Sequence, residues 1–387
     1  MTQHYDAIVI GAGSVGVPTT YFLAKLGYKV LCIEKEFAPG QGQNKAAIGG
    51  ARATHSDPAK IKLCQESLTF FSNWEKDYGT DIGWKKGGYC FPVYREQEEK
   101  TLKSILPIQK KFELNIDWYD AEKFREITAG INPEGLIGGT FSPDDGQVSP
   151  LLTSMQVSDE SKRLGAEFRF RETIKSLTMN GKKISGVKTD KGEYSANVVV
   201  NCAGVDATDI CKMAGLDIPV IPDSHEAGIS APVEQFLGPL VVDIRPGKEG
   251  KTVNFYFGQN REGQIIFCYT PSVKFFGTDR RQISEFMPII SRRLIEVIPR
   301  LKNITIRRVW RGLYPMTPDG VPVVGKTHID GFYVAVGMCG QGFMLGPGVG
   351  KNLAKFIATG KPDIDEKVFE LLSPNRNFSG SKGEALK

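Results

Sequence analysis

Tyr5-Asp6-Ala7-Ile8-Val9-Ile10 runs straight into Gly11-Ala12-Gly13-Ser14-Val15-Gly16, and Lys29-Val30-Leu31-Cys32-Ile33 then ends on Glu34. The order is apolar strand, glycine turn, helix, second strand and carboxylate, with the acid 23 residues beyond Gly11. Each part has a physical task. Gly11 permits a tight turn, Gly13 lets backbone approach a pyrophosphate, and Gly16 lets the helix pack close to the strand. Ser14 and Val15 complete the turn, whose free N–H groups and positive helix end suit phosphate. Glu34 can accept both hydroxyl hydrogens of an adenosine ribose and would repel a 2′-phosphate. A glycine triplet alone is weak evidence, but this placement between strand and helix is specific for dinucleotide binding.

The rest of the composition narrows the class. A chain of 387 residues suits two domains, and a formal net charge of +5 is small for that length. The pairs Arg280-Arg281, Arg292-Arg293 and Arg307-Arg308 are scattered without interleaved aromatics, so they read as solvated charge rather than a nucleic-acid patch. The modest positive bias suits a small anionic substrate. Seven cysteines contain no C-x-x-C pair, and Cys32, Cys202 and Cys268 lie in apolar runs, so buried thiols are expected and no metal site. The first strand begins by residue 5, leaving no room for a signal peptide, and no apolar run approaches ~18 residues. A cytoplasmic protein without a transmembrane segment is expected.

Further along, a helix is expected over 58–78, a strand over 87–93, and a charged helix over 96–113 interrupted near Pro107. A helix over 151–164 and a strand over 166–170 lead into a meander at 174–179, 184–189 and 192–195. Val198–Asn201 reads as a buried strand ending at Cys202-Ala203-Gly204. Residues 218–310 read as mostly β, with an antiparallel pair at 253–258 and 264–269 and a helix over 284–298. The strand 332–336 feeds a second glycine turn, Gly337-Met338-Cys339-Gly340-Gln341-Gly342, and a helix over 347–358. Two such turns more than 300 residues apart suit a long, two-ended cofactor.

These motifs resemble the FAD-dependent amine and amino-acid oxidoreductases of the D-amino-acid oxidase, glycine oxidase and sarcosine oxidase superfamily. The resemblance rests on Gly11–Gly16 with Glu34, Gly49-Gly50-Ala51-Arg52, Trp310-x-Gly312-x-x-x-x-Thr317-Pro318-Asp319-Gly320, and Gly340-x-Gly342-Phe343. Within it, the segments around Tyr314 and Phe343-Met344 look most like β-subunits of heteromeric sarcosine oxidases and dye-linked proline dehydrogenases. The resemblance implies that Gly11, Gly13, Gly16, Glu34 and Lys35 hold the ADP half, with Ile174 near adenine and Ala203-Gly204 against the dinucleotide. It places Ala51 and Arg52 along the flavin, and Asp319, Gly340, Gln341, Gly342, Phe343 and Met344 around the ribityl chain and flavin edge.

Departures from the family's patterns are equally informative. Gly312 stands where some relatives carry a flavin-linking cysteine, and no histidine lies between His55 and His225, so FAD is expected to be non-covalent. An additional FMN would require a heteromeric assembly. Ile266 aligns with the oxygen-associated lysine, Met344 with another lysine, Gln341 with a histidine, and Tyr314 with a carboxylate-binding arginine. Candidates to touch substrate are Arg52, Tyr256, Tyr269 and Tyr314, with His55 and His225. The tyrosines equally suit half-buried sheet aromatics, and the histidines hydrogen-bonded loops.

The expected fold is α/β: a discontinuous Rossmann-type FAD-binding domain with an interleaved β-rich (α+β) substrate domain. The first takes residues 1–84, 143–217 and 309–374, the second 85–142 and 218–308, and 375–387 form a disordered tail. The expected activity is oxidation of a small amino acid, or an N-alkyl or cyclic one, by hydride transfer to flavin, as a dehydrogenase more than an oxidase. Alternatives are a 2-hydroxy acid or glycerol-phosphate oxidoreductase on the same scaffold, or a subunit of an electron-transfer complex that is inactive alone. Homo- or hetero-oligomers and a separate electron acceptor stay open.

Overall fold

A computed structural model describes residues 3–379. In chain order, β1 (Gln3–Ile10), α1 (Gly16–Lys25) and β2 (Val30–Glu34) form the opening unit. The two-residue β3 (Gly50–Ala51) and the long α2 (Pro58–Tyr78) follow. Next come β4 (Tyr89–Val93), α3 (Glu96–Lys111), β5 (Asp117–Asp120), α4 (Ala121–Ile127) and β6 (Gly138–Ser142). The chain continues through β7 (Gly146–Gln147), α5 (Pro150–Arg163) and β8 (Glu167–Phe170). It then forms β9 (Ile174–Asn180), β10 (Lys183–Thr189), β11 (Glu193–Asn201) and α6 (Ala207–Lys212). Then follow β12 (Ile221–Pro232), β13 (Leu240–Asp243), β14 (Thr252–Gln259), β15 (Gln264–Pro271), α7 (Phe286–Val297) and β16 (Ile306–Met316). β17 (Val323–Lys326), β18 (Phe332–Val336), α8 (Gly342–Thr359) and α9 (Glu366–Glu370) complete the described chain.

Two eight-stranded sheets organise these elements. In the first, β8, β2, β1, β11 and β18 are parallel neighbours, with β17 antiparallel at one edge and β9–β10 hanging from β11. Parallel strands need cover on both faces, and Ala7, Ile8, Val9, Val199 and Val200 are all fully buried. One face packs on α1, α2 and α8 through a core that includes Val9, Tyr21, Phe71, Trp74 and Leu345. The second sheet runs β16-β12-β15-β14-β13-β4-β6-β5 and is antiparallel except between β13 and β4. Phe255, Phe257 and Phe267 join Phe286, Ile290 and Leu294 of α7 in its core.

Several boundaries differ from the sequence expectations. The stretches 192–195 and 198–201 form one strand, β11. Helix α3 continues through Pro107, held by the buried Leu102, Ile105 and Gln109, although the proline lacks one helical N–H donor. Helix α8 opens at Gly342 rather than at Pro347. A Cβ at Gly346 would collide with the Ser14 carbonyl, one at Gly348 with that of Leu63, and one at Gly350 would lie 2.7 Å from the Thr19 nitrogen. These contacts draw α8 against α1 and α2 and outweigh the proline's preference for a helix start. The boundary expected at residue 309 falls inside β16, which pairs with β12 from Ile221↔Met316 to Ser230↔Ile306. The expected disordered tail is ordered at its start, since Arg376 binds Asp319 at 2.8 Å and donates to the Val321 and Pro322 carbonyls. Residues 380–387 lie outside the described residues.

Candidate functional site

A cavity of about 740 Å³ lies where the two sheets meet and takes residues from both. On the first sheet's side, Gly11, Gly13, Ser14, Val15, Glu34, Lys35, Ile174, Ala203 and Gly204 line it. Arg52, Tyr256, Tyr314, Gly340, Gln341, Gly342, Phe343 and Met344 line it too. Gly16, Ala51, Tyr269 and Asp319 do not. Gly16 is consumed by packing, because a Cβ there would strike the Gly11 carbonyl. Ala51 is buried where β3 pairs with Gly146 of β7. Side chains alternate along a strand, so Cys268 and Thr270 of β15 face the cavity while Tyr269 packs on Phe286, with ring centroids 5.2 Å apart. Asp319 is committed to Arg376 and to Thr317, whose hydroxyl donates at 2.9 Å. Ile266 is absent from the lining as well.

The opening turn has the form that a phosphate cradle needs. Gly11 has φ 98°, and a Cβ on it would sit 2.7 Å from the Cys202 carbonyl oxygen. A Cβ on Gly13 would meet nothing within 4 Å and would project into open space. Glu34 ends β2 nearly buried, where Oε2 accepts the Ala12 N–H at 2.7 Å and Oε1 accepts that of Glu36 at 2.9 Å. Those bonds fix the carboxylate while leaving each oxygen a further lone pair. Lys35 pairs with Asp206 at 2.6 Å across half-exposed surface, an interaction worth about 0–1 kcal/mol.

The second glycine turn is backbone-strained. Gly337, Cys339 and Gly340 have φ of 67°, 52° and 81°, and Cys339 carries a side chain in that left-handed region. Its N–H donates to the Pro315 carbonyl at 3.0 Å, and its thiol donates to that of Gly337 at 3.1 Å. A Cβ on Gly340 would run into the Tyr314 ring, so glycine there is demanded by close approach as well as by φ. The turn aims the start of α8 into the cavity with no side-chain cap, and Gln341 Oε1 is buried without a hydrogen-bond partner. The start of α1 is likewise uncapped. Two free helix N-termini, a Cβ-free floor at Gly13 and an orphaned acceptor at Gln341 fit a dinucleotide cofactor.

The opposite wall is protic. Tyr256 and Tyr314 hydroxyls lie 2.9 Å apart, and burial holds both phenols well above their ordinary range. Burial also pushes the neighbouring Cys268 thiol up to about 12. The His225 ring lies tilted by 38° against that of Tyr314 with centroids 4.0 Å apart, is buried, and has no hydrogen-bond partner on either ring nitrogen. Its Nε2 is 3.7 Å from Asp223 Oδ2, which Lys274 also approaches at 3.4 Å. Burial lowers His225 below its usual value while the Asp223 carboxylate opposes that shift. Asp223 is held well below the usual carboxylate range: its burial is outweighed by His225 and by the N–H groups of Phe275 and Ser224, each at 2.9 Å. The pair therefore stands as carboxylate and neutral imidazole at pH 7. Arg52 is buried, donates to the Thr54 carbonyl and lies over the Phe91 ring at 5.7 Å. His55 lies outside the cavity lining, its Nε2 3.5 Å from Cys64 Sγ.

Sequence reasoning missed Asp223, Cys268, Thr270, Lys274, Thr278 and Arg280, all but Asp223 being cavity-lining residues. One signal was available: Asp223-x-His225 has the two-residue spacing that puts both side chains on one face of a strand. The loop bearing Lys274, Thr278 and Arg280 has no such regularity. Among the described residues no group of His, Cys, Asp or Glu could hold a metal ion, and no helix is long and apolar enough to cross a membrane.

Comparison with known proteins gives a consistent set of relatives. A family model described as FAD dependent oxidoreductase (DAO) matches residues 6–356. The mitochondrial dimethylglycine dehydrogenase of Rattus norvegicus is 25% identical over 96% of this chain, which spans only 44% of that relative's length. The sarcosine oxidase subunit beta of Rhodobacter capsulatus is 22% identical, covering 92% of this chain and 86% of its own. Among solved structures, L-proline dehydrogenase from P. horikoshii matches with TM-score 0.90 and 30% identity, over 97% of this chain and 98% of that one.

Proposed function

The chain belongs to the DAO family of FAD-dependent oxidoreductases, and we propose that it oxidises the C–N bond of a small amino acid, or an N-alkyl or cyclic one, to an imine. The observation that carries this reading is one cavity with a dinucleotide cradle in one wall and Arg52, His225, Tyr256 and Tyr314 in the other. Similarity to a sarcosine oxidase subunit and an L-proline dehydrogenase points to the same substrate class.

Gly13 and the α1 N-terminus would hold the pyrophosphate, Glu34 the adenosine ribose, and Gln341 with the α8 N-terminus the flavin edge. Bound FAD would supply the hydride acceptor. Arg52 takes the substrate carboxylate, an anion it can bind by two parallel N–H donors. Tyr256 and Tyr314, protonated throughout the physiological range, orient the substrate through the one hydroxyl hydrogen that their mutual hydrogen bond leaves free. An amino acid arrives as an ammonium, and its nitrogen must lose a proton before its lone pair can assist hydride departure. His225 Nε2 or Nδ1 accepts that proton, and the Asp223 carboxylate stabilises the resulting imidazolium. Non-covalent attachment is supported by Gly312, which stands where some relatives carry a flavin-linking cysteine.

A dehydrogenase is favoured over an oxidase, because Met344 lines the cavity where some relatives carry a lysine; Ile266, which aligns with the oxygen-associated lysine, lies off the lining and does not bear on the choice. Stopped-flow reoxidation tests this directly: reoxidation by air that keeps pace with turnover contradicts it, whereas fast reaction only with a dye supports it. A partner subunit as acceptor, and an FMN held with it, fit the same reading.

A second reading has its own observation. Lys274 and Arg280 line the cavity, and cations there suit a phosphate-bearing or 2-hydroxy acid substrate. An anaerobic screen separates the two, with flavin absorbance as the readout. Bleaching by N-methyl or cyclic amino acids is expected; bleaching by glycerol phosphate or 2-hydroxy acids alone contradicts the amine reading.

A further inference from the structure

Beneath Arg52 lies a buried carboxylate that the mechanism above does not use. Asp145 immediately precedes β7, whose Gly146 pairs with Ala51 of β3, so it is fixed directly against the Arg52–Thr54 turn. Its Oδ1 accepts the Ala53 N–H at 2.8 Å, and its own carbonyl accepts that of Gly88 at 2.8 Å. Its Oδ2 has no hydrogen-bond partner, and the side chain is almost wholly buried. An ionised carboxylate oxygen left in that condition is costly, so the group is poised between charged and neutral forms.

We propose that Asp145 is a positioning residue that holds the Arg52 turn and takes up a proton when an anion binds Arg52. This rests on the reading that Arg52 receives the substrate carboxylate. With Asp145 ionised, part of the Arg52 charge is already compensated, and an incoming carboxylate meets a like charge behind its partner. With Asp145 protonated, that share of the compensation is removed and the Arg52 field at the ligand is stronger. Binding and protonation therefore favour one another, and the coupling is reciprocal. The proton comes from the buffer, and no bond other than O–H is made.

The surroundings agree. Burial raises the Asp145 carboxyl to about 7, against the opposing pull of the Ala53 N–H and the Arg52 charge. Tyr89 of β4 is a titratable group coupled to it, and burial keeps that phenol neutral far above pH 8. His55, three residues beyond Arg52 on the same segment, is engaged with Cys64 of α2. The nearby lysines are directed elsewhere: Lys85 donates to the Leu237 and Gln259 carbonyls, and Lys86 pairs with Asp144.

Acetate is the probe, because it carries no amine and keeps its charge between pH 6 and 8. Its binding to the FAD-loaded protein is read from the flavin difference spectrum and by calorimetry in two buffers of different ionisation enthalpy. In the wild type, Kd should rise with pH across this range, by about tenfold for each unit by which the bound anion raises Asp145. Calorimetry should show net proton uptake near neutral pH. Asp145→Asn keeps an acceptor for the Ala53 N–H and should abolish both the slope and the uptake. A slope that persists in Asp145→Asn, or no proton uptake by the wild type, overturns the proposal. Should that variant fail to fold, His225→Asn serves instead: retention of the slope supports Asp145, and its loss assigns the proton to His225 and overturns the proposal. Acetate that binds with an unchanged Kd in Arg52→Met overturns the proposal together with the carboxylate reading beneath it.

Discussion

The two walls of the cavity are built by opposite strategies. The wall proposed for the cofactor uses backbone: Gly11 and Gly13 without Cβ atoms, the starts of α1 and α8, and a carboxylate at the end of β2, with Gly16 spent on packing behind them. The substrate wall uses side chains on alternating strand positions, His225, Tyr256, Cys268 and Tyr314, together with a loop that brings Lys274 and Arg280. Backbone chemistry ties residue type to fixed spacing, so a small change there removes an entire binding surface. Side-chain chemistry on a sheet tolerates exchange at single positions, which is how one scaffold can serve different small substrates.

The sharpest way to break this contrast is Gly13→Val. Nothing within 4 Å would meet a Cβ there, so the apoprotein should keep its thermal unfolding midpoint while FAD affinity falls by at least about a hundredfold. Equal loss of fold and cofactor would mean that the turn is structural only. His225→Asn comes next: kcat/KM should fall by about 10²–10⁴-fold, the usual contribution of a general base. The wild-type acid limb, governed by an imidazole whose burial lowers it below about 6.5, should vanish in the variant's pH profile. Persistence of that limb would remove His225 from the proton transfer.

Glu34→Ala has a smaller and mixed effect. The lost ribose bonds should weaken FAD by at least about tenfold, each charge-assisted bond being worth about 1.5–3 kcal/mol before desolvation. The Ala12 and Glu36 N–H groups would also lose their acceptor, so the unfolding midpoint should drop too, measurable by calorimetry on the apoprotein. The smallest effect expected is Tyr269→Phe set against Tyr314→Phe. Tyr269 points into the α7 core, so its variant should keep KM, whereas Tyr314→Phe should raise KM severalfold. Equal behaviour of the two would contradict the placement of Tyr314 in the cavity and of Tyr269 in the α7 core.

What was legible in the sequence follows from the same contrast. Gly11–Gly16 with Glu34 announced a parallel α/β sheet and one wall of the cavity, because their spacing is dictated by a strand, a turn and a helix start. The alternation along 253–258 and 264–269 announced the β14–β15 pair, yet which face of β15 meets the cavity depends on β12 and β14, so the pattern offers Tyr269 and Tyr256 alike. Asp319 was expected beside the cofactor, but Arg376, 57 residues later, draws its carboxylate away. Pro347 suggested a helix start until close packing of Gly346 and Gly350 on α1 carried α8 back to Gly342. Asp145 carries no motif at all; only the β3–β7 pairing brings it under Arg52.

The central claim is that a single cavity joins a backbone-built dinucleotide cradle to a carboxylate site at Arg52. A crystal structure of the FAD-loaded protein with acetate tests it most directly. The account predicts the pyrophosphate over Gly13 at the start of α1, the ribose on Glu34, and acetate on the Arg52 guanidinium beside Tyr314 and His225. Acetate held by Lys274 and Arg280, with Arg52 still turned to the Thr54 carbonyl, would contradict it.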